Sequence, residues 1–260
     1  MPSALSFCTL IRISALVLIV GALHLSTAAQ TPVPSASVEP LLWSRQNTLG
    51  ALVAYSPNSS RIFLGASQNR RLVHIGAFYN HRLLQNRTVN WQYSLEFIPV
   101  VLESDPLENE TDTITWLSTS QVFVYSSSSA STSSPCRTSS GSASGTVLTE
   151  SWTITCSRRW STGEAFSPIG FQWNFHPRHK VQPFAVGHGG FLYTSGPIPV
   201  DTAGNFNFTF DFGAGLEFFL THSTSLRFEY RAHHISNDNT AKTNPGIDNN
   251  LLQLSWAWGR

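Results

Sequence analysis

The C-terminal 36 residues, Ser225 to Arg260, constrain the chain more than any other stretch. They form two runs of alternating apolar and polar residues, SLRFEYRAHHIS and IDNNLLQLSWAW, joined by the polar link NDNTAKTNPG. Side chains of a β-strand point alternately to opposite faces, so Leu226, Phe228, Tyr230 and Ala232 share one face with His234 and Ser236. In the second run Leu252, Leu254, Trp256 and Trp258 share a face with Asp248. A histidine, a serine and a carboxylate thus meet at one end of an apolar surface.

The same period recurs upstream. Val89, Trp91, Tyr93, Leu95 and Phe97 alternate with polar residues, as do Ile169, Phe171, Trp173 and Phe175, and Phe206, Phe208, Phe210 and Phe212. Strand-like segments fall at 46–56, 70–82, 88–102, 166–176, 181–194, 205–221, 223–236 and 247–258. Such a pattern suits a soluble sandwich, with the apolar face as core, or a membrane barrel, with that face in lipid. The barrel is favoured. The strand number is even, and each segment reaches the roughly 9–11 residues that cross a bilayer obliquely. Short connections (83–87, 177–180, 222) alternate with long ones (57–69, 103–165, 195–204, 237–246), as periplasmic turns alternate with external loops. The final strand closes on Trp256-Ala257-Trp258. The expected fold is all-β, an eight-stranded antiparallel transmembrane β-barrel of the outer-membrane type.

Composition agrees. Charged residues make up 12% of the 260-residue chain, against about 25% for a soluble domain. The 16 Lys and Arg nearly balance the 15 Asp and Glu, which removes the electrostatic case for a nucleic-acid partner. Arg12, the apolar run Ile13 to Leu23 and the small residues Thr27 and Ala29 suggest an export signal over 1–29. The run is shorter than the ~20 residues of a spanning helix. A Pro- and Ser-containing tail at 30–45 would precede the barrel domain, 46–260, in the bacterial outer membrane.

By parity Gln92, Glu96, Gln172, Asp211, Glu217, Arg227, Glu229 and Arg231 point into the barrel. An eight-stranded interior is filled by side chains, so these groups are expected to pair as a polar plug rather than line a pore or form a catalytic centre. Ligand-spaced motifs such as CxxC and HExxH are absent and the nine histidines are scattered, so neither a metal nor another cofactor is expected. The insertion 103–165 reads as a long Ser-rich external loop. Its segment 126–145, dominated by Ser with Thr, Ala and Gly, lacks an apolar period and cannot bury enough surface to offset the entropy of ordering. Thr113 to Tyr125 and Val147 to Cys156 could form an external hairpin, closed by a Cys136–Cys156 disulfide if the two cysteines are not free.

With both termini periplasmic, His234, Ser236 and Asp248 come to the outer-leaflet level and face lipid. Polar groups there are costly unless used. Ser236 can serve as an acyl-accepting nucleophile, His234 as its base and Asp248 as the group that orients the imidazole. The Cβ atoms of His234 and Ser236 lie about 7 Å apart on one strand face, close enough for a hydrogen bond between imidazole and hydroxyl. The bland reading is a polar rim binding lipid headgroups, with Arg231, His233 and Lys242 holding phosphates in a non-catalytic barrel.

The run RAHHISNDNTAKTNPGID resembles the signature of the lipid A 3-O-deacylase (acyloxyacyl hydrolase) family: His234-Ile235-Ser236-Asn237, the turn Asn244-Pro245-Gly246, and a carboxylate, Asp248, twelve residues after the serine. The pieces IGFQWNF, VQPFAVGHGGFLY and FNFTFDFGAGLEF are similar to the family's barrel strands. The resemblance implies an eight-stranded outer-membrane esterase that removes the ester-linked 3-O acyl chain of lipid A. It makes Ser236 the nucleophile, His234 the base and Asp248 the acid, with Asn237, Asn244 and Gly246 positioning substrate or oxyanion. The partner implied is lipid A or lipopolysaccharide in the outer leaflet, with a second copy of the chain as a further candidate. A phospholipase using the same triad is an alternative. The family's best-known members carry Glu where this chain has Asp248, so a looser or water-bridged contact with the imidazole is expected.

Overall fold

The computed structural model describes residues 43–117, 121–132 and 136–260. The expected export signal, 1–29, and most of the expected tail lie outside them. The described chain is all β, in ten strands: β1 (Asn47–Ser56), β2 (Arg71–Gln85), β3 (Val89–Leu117), β4 (Val122–Thr132), β5 (Ser139–Ser144), β6 (Leu148–Phe175), β7 (Val181–Thr194), β8 (Phe206–Phe219), β9 (Thr224–Ser236) and β10 (Ile247–Gly259). Eight of them close into a ring of antiparallel pairs in the order β1-β2-β3-β6-β7-β8-β9-β10-β1. The seam is the pairing of β1 with β10, from Thr48 opposite Gly259 to Tyr55 opposite Leu252.

Parity sorts the side chains as the alternation requires. Leu49, Val53, Phe228, Tyr230, Leu254 and Trp258 stand exposed on the outer wall. The inward set is buried: Gln92, Glu96, Gln172, Asp211, Glu217, Arg227, Glu229 and Arg231. Arg231 is the hub of this plug. Its guanidinium donates to Glu96 at 2.7 and 2.9 Å, to Glu229 at 3.2 Å and to Asp211 at 3.5 Å. His188 joins through Asp211 at 3.1 Å and Ser94 at 2.9 Å. Arg227 lies over the rings of Phe78 and Phe184, at 4.5 and 4.6 Å from their centroids, a cation–π arrangement.

Two expectations need correction here. The end of the presumed tail is anchored: Arg45 is buried and paired with Glu217 and Ser225, and Trp43 stacks on His222 with ring centroids 4.5 Å apart. These contacts plug the short-turn end of the barrel. The insertion 103–165 is likewise built rather than loose. β3 and β6 remain paired from Val89 opposite Phe175 out to Trp116 opposite Leu148. β4 adds to the free edge of β3, and β5 to that of β6, making a four-stranded sheet beyond the barrel where a single hairpin was expected. The serines of β4 bury almost nothing. A backbone ladder needs no apolar side chain, and the edges of two overlong strands supply unpaired N–H and C=O groups to build on. Cys136 and Cys156 are joined by a disulfide, with Cα atoms 5.9 Å apart, across this sheet.

The plug makes a test. Arg231→Ala leaves Glu96, Glu229 and Asp211 short of their buried cation, which costs about 3–5 kcal/mol. Urea unfolding of the barrel in lipid bilayers or detergent is expected to shift by that amount, whereas removing exposed Arg61 leaves the midpoint in place.

Candidate active site

The site forms where β9 ends, the link 237–246 turns, and β10 begins. Antiparallel register sets Asp248 directly opposite His234. Directly opposed residues have Cβ atoms about 4.5–5.5 Å apart, so even a short carboxylate reaches the neighbouring ring. His234 Nδ1 donates to Asp248 Oδ1 at 2.5 Å. The contact is direct, which corrects the expectation of a looser or water-bridged one. With Nδ1 carrying the proton, Nε2 is left as an acceptor. Phe210, opposite His234 on β8, packs on the imidazole at 4.9 Å between ring centroids.

The link 237–246 is locked by its own side chains. Asn237 donates from Nδ2 to Thr243 O at 2.7 Å, and its Oδ1 accepts from Asn239 N at 3.0 Å. Asp238 and Asn239 take positive φ, 49° and 59°, as Asn and Asp tolerate better than most residues. Gly246 also has positive φ, 59°, and a Cβ there would lie 3.2 Å from His234 Cε1. The link therefore presents Asn244 to Ser236. The serine Oγ donates to Asn244 Oδ1 at 3.0 Å and accepts from Asn244 Nδ2 at 2.9 Å and from Asp238 N at 3.1 Å. Its hydroxyl is held by the asparagine rather than by the imidazole in this arrangement. Catalytic contacts in unliganded enzymes are commonly long and close only around substrate. Of the three expected positioning residues, Asn244 is at Ser236 and Gly246 shapes the turn. The Asn237 amide is engaged within the link and braces it.

His234, Ser236 and Asp248 do lie on the outer face, but His234 and Asp248 are not open to lipid. The segment 57–70, which joins β1 to β2, folds over them. Asp248 Oδ2 accepts three backbone N–H groups from it: Ile62 at 2.9 Å, Phe63 at 2.7 Å and Gly65 at 2.9 Å. Sequence reasoning missed this element. Its sequence, PNSSRIFLGASQNR, carries no chemical motif, and its contribution is made by main-chain groups. The phosphate-binding alternative also changes. Arg231 and His233 are buried on the inward face, and of that trio Lys242 alone is exposed. Glu96, His188 and Asp211 could meet on a cation, their ligand atoms lying within 4.8 Å of one another. The Arg231 guanidinium already lies among them and pairs with both carboxylates.

On the outer wall, further along β9 and β10, an open apolar groove of about 480 Å³ runs between Val53, Tyr55, Leu216, Tyr230 and Leu252.

The chain is similar to the outer membrane enzyme PagL in its crystal structure, at 15% identity and a TM-score of 0.45, over 80% of this chain and 97% of that one. It is also similar to Neisserial surface protein A, at 10% identity and a TM-score of 0.41, over 83% of this chain and 97% of that one. No curated protein matches the sequence. The family model for lipid A 3-O-deacylase (PagL) matches residues 125–257, just over half of the chain and all of the site on β9 and β10. This outer-membrane β-barrel therefore belongs to the PagL family of lipid A deacylases.

Proposed function

We propose that the protein hydrolyses the ester-linked 3-O acyl chain of lipid A from the lipid side of the barrel's external rim, with Ser236, His234 and Asp248 as its triad. The observation that carries the reading is the His234–Asp248 contact beside a serine whose hydroxyl is gripped by an asparagine. A base with its Nδ1 proton tied to a carboxylate has Nε2 free to take a proton.

In this reading lipid A diffuses laterally in the outer leaflet, and its acyl chains run down the apolar groove between Tyr230 and Leu252. Ser236 Oγ attacks the ester carbonyl carbon while His234 Nε2 takes the hydroxyl proton. The carbonyl oxygen becomes an oxyanion. Asn244 Nδ2, released from Ser236 Oγ as the new C–O bond forms, donates to it. Collapse expels the sugar 3-oxygen, which takes the proton back from His234. Water, deprotonated by the same nitrogen, then attacks the acyl-serine and releases the fatty acid. Asp248 keeps the imidazole in the required tautomer and stabilises its charged form. Gly246 allows the turn to pass the ring, and Asn237 holds the link rigid.

Expression in a lipid A-bearing host, followed by mass spectrometry of the extracted lipid A, tests the whole reading. The native protein is expected to remove one 3-linked acyl chain and Ser236→Ala to leave it in place. Identical lipid A from both would overturn it, and lysophospholipid in place of shortened lipid A would redirect it to a phospholipase. The two asparagines separate in vitro. Asn244→Ala is expected to lower kcat by about 10²–10³-fold, as for loss of an oxyanion donor. Asn237→Ala is expected to open the link 237–246 to limited proteolysis, with a smaller loss of rate.

A further inference from the structure

The segment 57–70 is tied down along its length. Ser60 N donates to Asp248 O at 3.0 Å, Ala66 N to Pro245 O at 2.6 Å and Ser67 N to Gly246 O at 3.1 Å. Asn250 Nδ2 donates to Ser60 Oγ at 3.0 Å. At its far end buried Arg70 pairs with Asp105 at 3.1 Å and donates to Pro199 O at 3.2 Å. In the middle, the Phe63 ring lies against Phe210 and Phe212, with centroids 5.5 and 5.1 Å apart. Phe210 is the residue that packs on His234. Between these fixings, three backbone donors within four residues converge on one carboxylate oxygen.

We propose that the segment 57–70 is a positioning element of the hydrolytic site: its backbone N–H groups at Ile62, Phe63 and Gly65 lock the Asp248 carboxylate onto His234. The inference rests on the triad reading given above and extends it to a part of the chain outside the stretch matched by the family model. With one oxygen on the imidazole and the other on three N–H groups, the carboxylate can neither rotate nor swing away. Gly65 is required by space. A Cβ at that position would lie 2.5 Å from Asp248 N, 2.7 Å from its Cγ and 2.8 Å from its Oδ1. The same closeness accounts for aspartate here: the segment occupies the room that the extra methylene of a glutamate would need. The acid and the cradle form a matched pair.

The test uses the full-length barrel, refolded or extracted in detergent, acting on purified lipid A, with folding checked by the mobility of unheated samples on gels. Gly65→Val pushes the cradle off Asp248 and is expected to lower kcat by about 10²-fold, as a misplacement of roughly 1 Å in a catalytic group can, while KM changes little. Phe63→Ala, which loosens the segment without entering the carboxylate's space, is expected to act in the same direction and serves if the valine variant does not fold. The decisive comparison is in the Asp248→Asn background. There Gly65→Val is expected to lower the residual rate less than 2-fold, because both changes act through one group. The same fold-loss in both backgrounds would overturn the proposal. Asp248→Glu is expected to be slower than the native protein, and a glutamate variant as fast or faster would also overturn it. Activity surviving in Ser236→Ala would instead refute the triad reading itself.

Discussion

Closure of the sheet is the constraint on which the rest depends. An open sheet edge in lipid would leave a row of N–H and C=O groups without partners, and a barrel removes both edges. Here the ring closes by joining β1 to β10, across nearly the full length of the chain. That seam also decides what stands beside the site. Because β1 climbs next to β10, the segment that leaves β1 emerges at the start of β10, within reach of Asp248. The three donors of the carboxylate are thus a by-product of the pairing that closes the wall.

The interior answers a second constraint. A barrel with eight strands has no space for bulk water, so every inward charge needs a partner among its neighbours. Arg231 meets this demand in the middle of the barrel for Glu96, Glu229 and Asp211. Arg45, on the approach to β1, meets it at one end for Glu217. Outward polar groups are accommodated by different means. His234 and Asp248 escape direct exposure to hydrocarbon because 57–70 lies over them, and Ser236 remains partly exposed.

Much of this was legible in the residues. The eight barrel strands, the direction of each side chain and the position of His234, Ser236 and Asp248 on one outer face follow from a period of two, which a strand cannot evade. Strand ends were less legible. β3 and β6 run well past 102 and back before 166 because each serves as the other's partner, and mutual pairing leaves no trace in either sequence alone. The Ser-rich stretch misled for a related reason: its order comes from the backbone of its neighbours, and composition reports on side chains. The bracing role of Asn237 depended on the turn geometry of 237–246. It could not be separated from that of Asn244 by their spacing in the motif.

The sequence by itself determined the class of fold, the inward and outward sets and the family to which the chain belongs, because alternation and short motifs are local properties. Only the tertiary structure decided how Asp248 is held. Its three donors come from residues more than 180 positions away and are main-chain groups, identical in every residue but proline. Judged from the strand motif alone, the aspartate is one methylene shorter than the carboxylate of the family's best-known members. In the folded barrel the opposed register brings aspartate and imidazole together, and the loop beside the seam takes up the remaining space.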